Sequence, residues 1–338
     1  MPINRQILLN NRPVGPAVLD NFKMVENHTP DLVEGQVLVK NIFLSLDPYM
    51  RGRMNDSKNY KAPQLLGYPM VGGTVGEITE TKNNLFKIGD KVVCMGGWQD
   101  FSVENANVVG AVRKVDTIHV PLSVYLGAVG MPGVTAWYGL NKIIEPKEGE
   151  TMLVSAATGA VGSAFSALSK ENGCRTVGVA GGEKKCSYAI EELGFDACID
   201  YKLFSDTAHL ATAIQQACPN GVDGYFENVG GKILDAAMMV MNDFGRIAVC
   251  GMIAGYNGEP LPMNTPSLIL RSRLKTQGFI VSEHMEVWPQ ALSELYELYK
   301  VGKLRPRETI AEGLESAPQA FLGLLKGQNI GKQLVKLC

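Results

Sequence analysis

Two tyrosines, a lysine pair and a spaced run of glycines are the residues of this chain best suited to chemistry. Tyr256 sits in Gly255-Tyr256-Asn257, a glycine-flanked loop after an expected strand end, where reactive groups tend to collect. A phenol with an ordinary pKa of about 10 stays protonated at neutral pH, so it donates a hydrogen bond and yields its proton reluctantly. A catalytic donor and an aromatic pocket wall are the two roles open to it. Tyr49 follows Pro48 in a turn and suits a substrate-pocket wall better than proton transfer. Asp47 and Arg51 are four residues apart, a spacing that suits a structural pair on one helical turn.

The glycines suit a different task. Leu153-Val154-Ser155-Ala156-Ala157-Thr158-Gly159-Ala160-Val161-Gly162 reads as a buried strand, a small-residue turn and a helix start. Gly159 and Gly162 let the backbone N–H groups of Thr158 to Gly162 close on a pyrophosphate at a helix N-terminus. Ala157 replaces the first glycine of G-x-G-x-x-G, and an ordinary strand-to-helix turn would leave a similar pattern. The next strand argues for a dinucleotide. This second apolar strand, Thr176 to Ala180, runs into Gly181-Gly182-Glu183-Lys184-Lys185. An acidic residue there would accept hydrogen bonds from the ribose 2′-hydroxyl of NAD. A lysine pair invites a 2′-phosphate instead, so the expected cofactor is NADP(H).

These groups need a scaffold of alternating strands and helices. Strands are expected at 151–156, 175–180, 197–200, 222–226, 245–250 and 276–281. Helices are expected at 161–172, 184–193, 207–217, 230–241 and 285–301. Such alternation implies a doubly wound parallel sheet, with the ligand beyond the carboxyl ends of the strands. Residues 1–124 read as β-rich, with strand character at 37–42, 72–78 and 87–93 and glycines placed for tight corners. The tail ends in a strand at about 331–337 that should return to the first domain. The expected division is therefore 1–124 with 302–338, and 125–301. Met238, Met239 and Met241 read as helix core.

The chain has 338 residues, enough for two domains. Its apolar content of 46% and charged content of 20% are ordinary for a globular protein. A net charge of −2 offers no basic surplus for nucleic acid or an anionic membrane surface. No apolar run reaches membrane-span length, and Met1-Pro2-Ile3-Asn4-Arg5 lacks a secretion-signal core. A cytoplasmic location is expected. The seven cysteines are scattered without a C-x-x-C pair, which fits neither a disulfide framework nor a zinc cluster. Catalytic zinc takes three protein ligands from Cys, His, Asp or Glu, and residues 1–124 offer only Cys94, His28 and His119 as cysteine and histidine candidates, which argues against such a site.

Leu44-Ser45-Leu46-Asp47-Pro48-Tyr49-Met50-Arg51-Gly52-Arg53-Met54 resembles a signature of zinc-independent medium-chain reductases, in the leukotriene B4 dehydrogenase, prostaglandin reductase and alkenal double-bond reductase branch. Met131-Pro132-Gly133-Val134-Thr135-Ala136, the Ala156–Gly162 turn, Glu227-Asn228-Val229-Gly230-Gly231, Cys250-Gly251-Met252-Ile253 and the tail Leu324–Lys332 fit the same branch. Within it the chain is most similar to bacterial NADPH-dependent curcumin reductases. The resemblance implies a GroES-like β-rich domain beside a Rossmann domain, and a homodimer. Where zinc alcohol dehydrogenases carry Gly-His-Glu, this chain has Gly67-Tyr68-Pro69.

The resemblance also implies roles. Lys185 matches the lysine of a G-S-x-E-K pattern that holds the 2′-phosphate, and Lys184 is a second candidate. Tyr201, in Asp200-Tyr201-Lys202, would stand against the adenosine end, with surface packing as the other reading. Asn228 would bind ribose hydroxyls, the backbone at Cys250 and Gly251 would hold the nicotinamide carboxamide, and Asn329 would lie near the cofactor. Phe279-Ile280-Val281 would be a strand beside the cofactor, followed by Ser282 where some members carry a tyrosine. Tyr256 matches a tyrosine given a proton-delivery or enolate-binding role. The expected reaction is NADPH-dependent reduction of the C=C bond of α,β-unsaturated carbonyl substrates. A quinone reductase and a non-enzymatic NADPH-binding protein are the rivals.

Overall fold

The computed structural model describes residues 2–337. The chain divides into two compact units, Met1–Leu126 with Glu308–Cys338, and Gly127–Arg307.

The first unit is built on a seven-stranded sheet. Its path runs Glu308–Glu312, Lys332–Lys336, Gln36–Ser45, Thr74–Thr81, Lys91–Cys94 and Val112–Lys114, with Phe101–Asn105 also paired to Gln36–Ser45. Ile3–Leu9 and Phe22–His28 form a separate antiparallel pair. The tail strand does return here. Leu334 pairs antiparallel with Ser45, and Glu308 pairs in parallel with Lys332. Alternate residues Val37, Val39, Ile78 and Val92 turn inward into one apolar cluster, as the two-residue strand period requires. A second cluster centres on Trp98, which stacks on Phe22 at 5.5 Å and meets the edge of Phe321 at 5.6 Å. Aromatic pairs favour these two geometries because each ring has a negative face and a positive edge.

The second unit is a six-stranded, all-parallel sheet. Its order is Ala197–Asp200, Arg175–Ala180, Thr151–Ser155, Val222–Glu227, Met241–Val249 and Lys275–Gly278. The chain reverses its direction of progress between Thr151–Ser155 and Val222–Glu227, the switch point where ligands bind in such sheets. Helices Ala160–Glu171, Glu183–Glu191, Thr207–Ala217, Lys232–Met239 and Trp288–Lys300 lie close to their expected places. Met131–Tyr138 adds a further helix that continues as a π-helical turn over Gly139–Ile144.

The differences from expectation have local causes. Gly230 and Gly231 have φ of 82° and 61°, so the helix expected from 230 starts only at Lys232. Pro289 sits in the first turn of Trp288–Lys300, where its missing N–H costs nothing, so that helix begins at Trp288 rather than 285. The last strand ends at Gly278, leaving Phe279 in irregular chain and Val281 and Ser282 in a 3₁₀ turn. Residues 302–307 stay with the second unit. Leu304 is buried, and its N–H bonds to Leu298 O. Met238 is buried on its helix and Met241 at a strand start, while Met239 is 42% exposed.

Candidate active site and coenzyme cradle

The Ala156–Gly162 turn joins a buried strand to a helix start. Ala156 adopts φ of 51°, which swings the chain from the buried strand Thr151–Ser155 into the helix. Gly159 caps Ala160–Glu171 with no side-chain cap. Helix geometry leaves the first-turn N–H groups of Ala160, Val161 and Gly162 without intrahelical partners, facing any anion placed there. A Cβ on Gly162 would stand 2.6 Å from the carbonyl oxygens of Ala156 and Ala157, so only glycine permits this turn. Thr158 is buried within it.

The adenosine corner is assembled from two strand ends. The Asp200 carboxylate, at the end of Ala197–Asp200, accepts the N–H of Gly182 at 2.8 Å and of Lys202 at 3.0 Å. That contact draws Tyr201 and Lys202 onto Gly181, where a Cβ would lie 2.9 Å from the Tyr201 ring and 3.0 Å from Lys202 Cε. Lys232 Nζ stands 5.8 Å from the centre of the Tyr201 ring and donates to Phe204 O at 2.6 Å. Lys185 is half-buried and Lys184 is exposed. Burial, and then the charge of Lys202, pull the Lys185 ammonium below its ordinary value. Two ammonium groups that disfavour each other are a site that an anion would relieve, so this corner fits a phosphate. Lys202 had a sequence signal, its place directly after Tyr201, but only the fold brings it to Gly181.

At the switch point the strand ends hold a buried polar cluster. Glu227 is fully buried, and its carboxylate accepts Ser155 Oγ at 2.8 Å, Tyr225 Oη at 2.8 Å, Gly230 N–H at 3.0 Å and Val229 N–H. Burial pushes its carboxyl above the ordinary range against these donors. Asn228 donates its amide Nδ2 to Ser155 O and its N–H to Ser155 Oγ, both at 2.8 Å, which fixes its side chain between the two strands. The sequence motifs include Ser155 and Glu227 without giving either a role, and nothing in the pattern points to Tyr225.

The N–H groups of Cys250 and Gly251 both bond to Glu227 O, at 2.9 and 3.2 Å. They are therefore committed, and the carbonyl groups remain as the backbone partners for a carboxamide at this place. Burial pushes the Cys250 thiol up to about 12. The chain then turns through Ile253–Gly255 and delivers Tyr256 back over the strand end. A Cβ on Gly251 would stand 3.1 Å from the Tyr256 hydroxyl oxygen and 3.5 Å from Asn228 O. The Tyr256 hydroxyl and the Asn228 backbone carbonyl thus both lie beside Gly251. Phe279 is buried with its ring 5.2 Å from Tyr138 and 6.1 Å from Phe226, so its side chain is core. The Val281 carbonyl accepts Trp288 Nε1 at 3.2 Å.

The remaining candidates lie in the first unit. Tyr49 opens a short helix, Tyr49–Arg53. Burial, reinforced by Asp47, pushes its phenol well above the ordinary tyrosine range, which makes it a poorer acid. Asp47 accepts Ser45 Oγ and forms a buried ion pair with Lys332 Nζ at 2.8 Å. Arg51 reaches Asn55 Oδ1 at 2.7 Å and Gly15 O at 2.5 Å. Asn329 donates to Gly331 O at 2.7 Å and lines a recess with Thr309, Gln328 and Gln333. Cys94 is buried against Thr74 Oγ1 at 3.3 Å, and His28, Tyr68 and His119 are exposed. Among the described residues no three metal-ligating side chains come together.

Comparison with known proteins agrees with this arrangement. The family described as the N-terminal domain of oxidoreductase matches residues 5–112, and the family described as zinc-binding dehydrogenase matches residues 160–297. The NADPH-dependent curcumin reductase of Escherichia coli is 43% identical, covering 99% of this chain and 97% of that protein. An NADP⁺-dependent 2-alkenal reductase of Nicotiana tabacum is 40% identical, covering 98% of this chain and 97% of that protein. The crystal structure of CurA from Vibrio vulnificus in complex with NADPH superposes with a TM-score of 0.91 at 41% identity, covering 99% of both chains. This chain belongs to the medium-chain dehydrogenase/reductase family, in the branch of the prostaglandin, 2-alkenal and curcumin reductases.

Proposed function

We propose that the protein is an NADPH-dependent reductase of the C=C bond in α,β-unsaturated ketones and aldehydes, working without zinc. The observation that carries this reading is the placement of the Tyr256 hydroxyl beside Gly251, at the carboxyl ends of a sheet whose outer corner presents Lys185 and Lys202. NADPH, when bound, supplies the hydride that reaches the substrate's β-carbon. Gly159, Ala160, Val161 and Gly162 hold the pyrophosphate, and Lys185, Lys202 and Tyr201 hold the adenosine end with its 2′-phosphate. Asn228 and the carbonyls of Cys250 and Gly251 orient the nicotinamide half.

Tyr256 then does the chain's chemical work. Hydride addition sends negative charge to the carbonyl oxygen, and a fixed phenol donor at that oxygen stabilises the charge as it forms. The same hydroxyl, or water, returns a proton to the α-carbon. Holding donor and substrate in fixed relation removes an entropic cost that free reactants would meet. Tyr49, whose phenol is pushed up by burial, is a poor proton donor. The donor set around Cys94 supports the metal-free reading, because its thiol lies against the Thr74 and Ser102 hydroxyls while His28 and His119 are exposed.

A cytoplasmic homodimer is part of the same proposal. No helix among the described residues is long and apolar enough to cross a membrane. The edge strand Lys275–Gly278 is exposed along its length, and such an unpaired edge suits strand pairing with a second copy.

A panel assay tests the function. NADPH oxidation is followed with 2-alkenals, diarylenones, prostaglandin-type ketones and quinones, with product identification. Saturated carbonyl products support the reading, turnover of quinones alone supports the quinone rival, and binding of NADPH with no consumption across the panel contradicts enzymatic function.

A further inference from the structure

Cys186 and Cys198 face each other beneath the adenosine corner. The Asp200 carboxylate meets Gly182 N–H at 2.8 Å, which marks where the strand Ala197–Asp200 touches the start of the helix Glu183–Glu191. From that contact the helix and the strand run back side by side. Cys186 lies four residues along the helix, a rise of about 6 Å. Cys198 lies two residues back along the strand, about 6.6 Å, and on the same face as Asp200 because strand side chains alternate. The two steps match, so the thiols arrive at one level. Ile199, between Cys198 and Asp200, points the other way into the core cluster with Val179 and Leu210. The two thiol side chains interact with each other. Both residues are partly exposed and both thiols are free.

We infer that Cys186 and Cys198 form a reversible disulfide that displaces the adjacent Lys185 and weakens NADPH binding. Hydrogen peroxide is the oxidant. The Cys186 sulfur attacks one peroxide oxygen and the O–O bond breaks, giving a sulfenic acid and one water. The Cys198 sulfur then attacks the Cys186 sulfur, the S–S bond forms, and the sulfenic hydroxyl leaves as a second water with the Cys198 proton. Two thiols lose two electrons and two protons, and peroxide is reduced to two waters. A later thiol reductant reverses the step by exchange.

Selectivity for this pair follows from its surroundings. Burial pushes Cys94, Cys218 and Cys250 up to about 12 and Cys174 up to about 11, which keeps them as unreactive thiols. Cys186 moves the other way, below its ordinary value, through its contact with the Cys198 side chain. The thiolate is the nucleophile in such chemistry. Cys186 also follows Lys185 directly, and its N–H holds the first helical turn by bonding to Gly182 O at 3.2 Å. A covalent tie at Cys186 therefore acts on the turn that aims Lys185.

The coenzyme effect rests on the proposed NADPH site, while the cross-link does not, so the two are read separately. The full-length protein is treated with hydrogen peroxide, and non-reducing peptide mapping is combined with NADPH titration by fluorescence. The expected result is a linked peptide joining Cys186 to Cys198, a several-fold weaker NADPH affinity, and recovery of both by dithiothreitol. Cys198→Ser should give no link and a dimedone-trapped sulfenic acid at Cys186, with NADPH affinity kept. Both thiols remaining free in the oxidised wild type would overturn the inference. A link with unchanged NADPH affinity would overturn the proposed effect on Lys185, and equal loss of affinity in Cys198→Ser would overturn the role of the pair.

Discussion

The Tyr256 hydroxyl oxygen stands over Gly251, 3.1 Å from where a Cβ on that residue would lie. The phenol is thereby placed at the strand end beside Asn228, and its hydroxyl is the group expected to act on the substrate carbonyl. Tyr256→Phe removes that donor and little else. The expected outcome is a kcat lower by about 10²–10³, with NADPH affinity nearly unchanged. Steady-state kinetics and a coenzyme titration check both halves, and an unaltered kcat would leave Tyr256 as pocket wall.

Lys185 and Lys202 act on one anion in this account. Lys185→Ala should raise the KM for NADPH by about ten- to hundred-fold, the worth of one charged hydrogen bond of roughly 1.5–3 kcal/mol. The KM for NADH should hardly move. Lys202→Ala should shift the same ratio in the same direction. Equal effects on the two coenzymes would remove the phosphate from this corner.

Glu227 ties the ends of two central strands through four donors. Glu227→Ala strands those donors, each at about 1–3 kcal/mol, and should lower the melting temperature sharply. Glu227→Gln keeps an acceptor in place and should be mild. The pH dependence has a definite sign. A carboxyl raised above its ordinary 4.5 favours the folded protein below that value, and this benefit is lost as pH rises through the folded pKa. Glutamine does not titrate. The stability of the wild type relative to Glu227→Gln should therefore fall as pH climbs out of the acid range, as paired melts across that range would show.

The buried pair Asp47–Lys332 joins the Asp-Pro-Tyr segment to the tail strand, and Lys332 Nζ also donates to Leu46 O at 2.6 Å. Lys332→Met leaves a buried carboxylate without its cation and should destabilise the protein by about 3–5 kcal/mol. Asp47→Asn combined with Lys332→Met should recover much of that loss. A double-mutant cycle by urea denaturation measures the coupling.

Local patterns were legible in the sequence wherever neighbouring residues set them. The small-residue turn Thr158–Gly162, the parallel strands and the returning tail all follow from periodicity and turn chemistry. Contacts set by strand order were not. Lys202 reaches Gly181 only because Ala197–Asp200 pairs with Arg175–Ala180. Asp47 finds Lys332 across 285 residues, where four-residue spacing had suggested Arg51. The resemblance offers the backbone at Cys250 and Gly251 to a carboxamide, and only the adjoining strand shows that Glu227 O takes both N–H groups. Asp200 looked like a plain strand end, yet its carboxylate organises the corner that holds Lys185.

Every role assigned above serves hydride delivery from NADPH to the β-carbon of a conjugated carbonyl. NADPH deuterated at the transferred position of C4, supplied with a diarylenone, tests it most directly. The expected product is a saturated ketone carrying deuterium on the β-carbon, located by NMR and mass spectrometry. Deuterium on the carbonyl carbon, in an allylic alcohol, would contradict it.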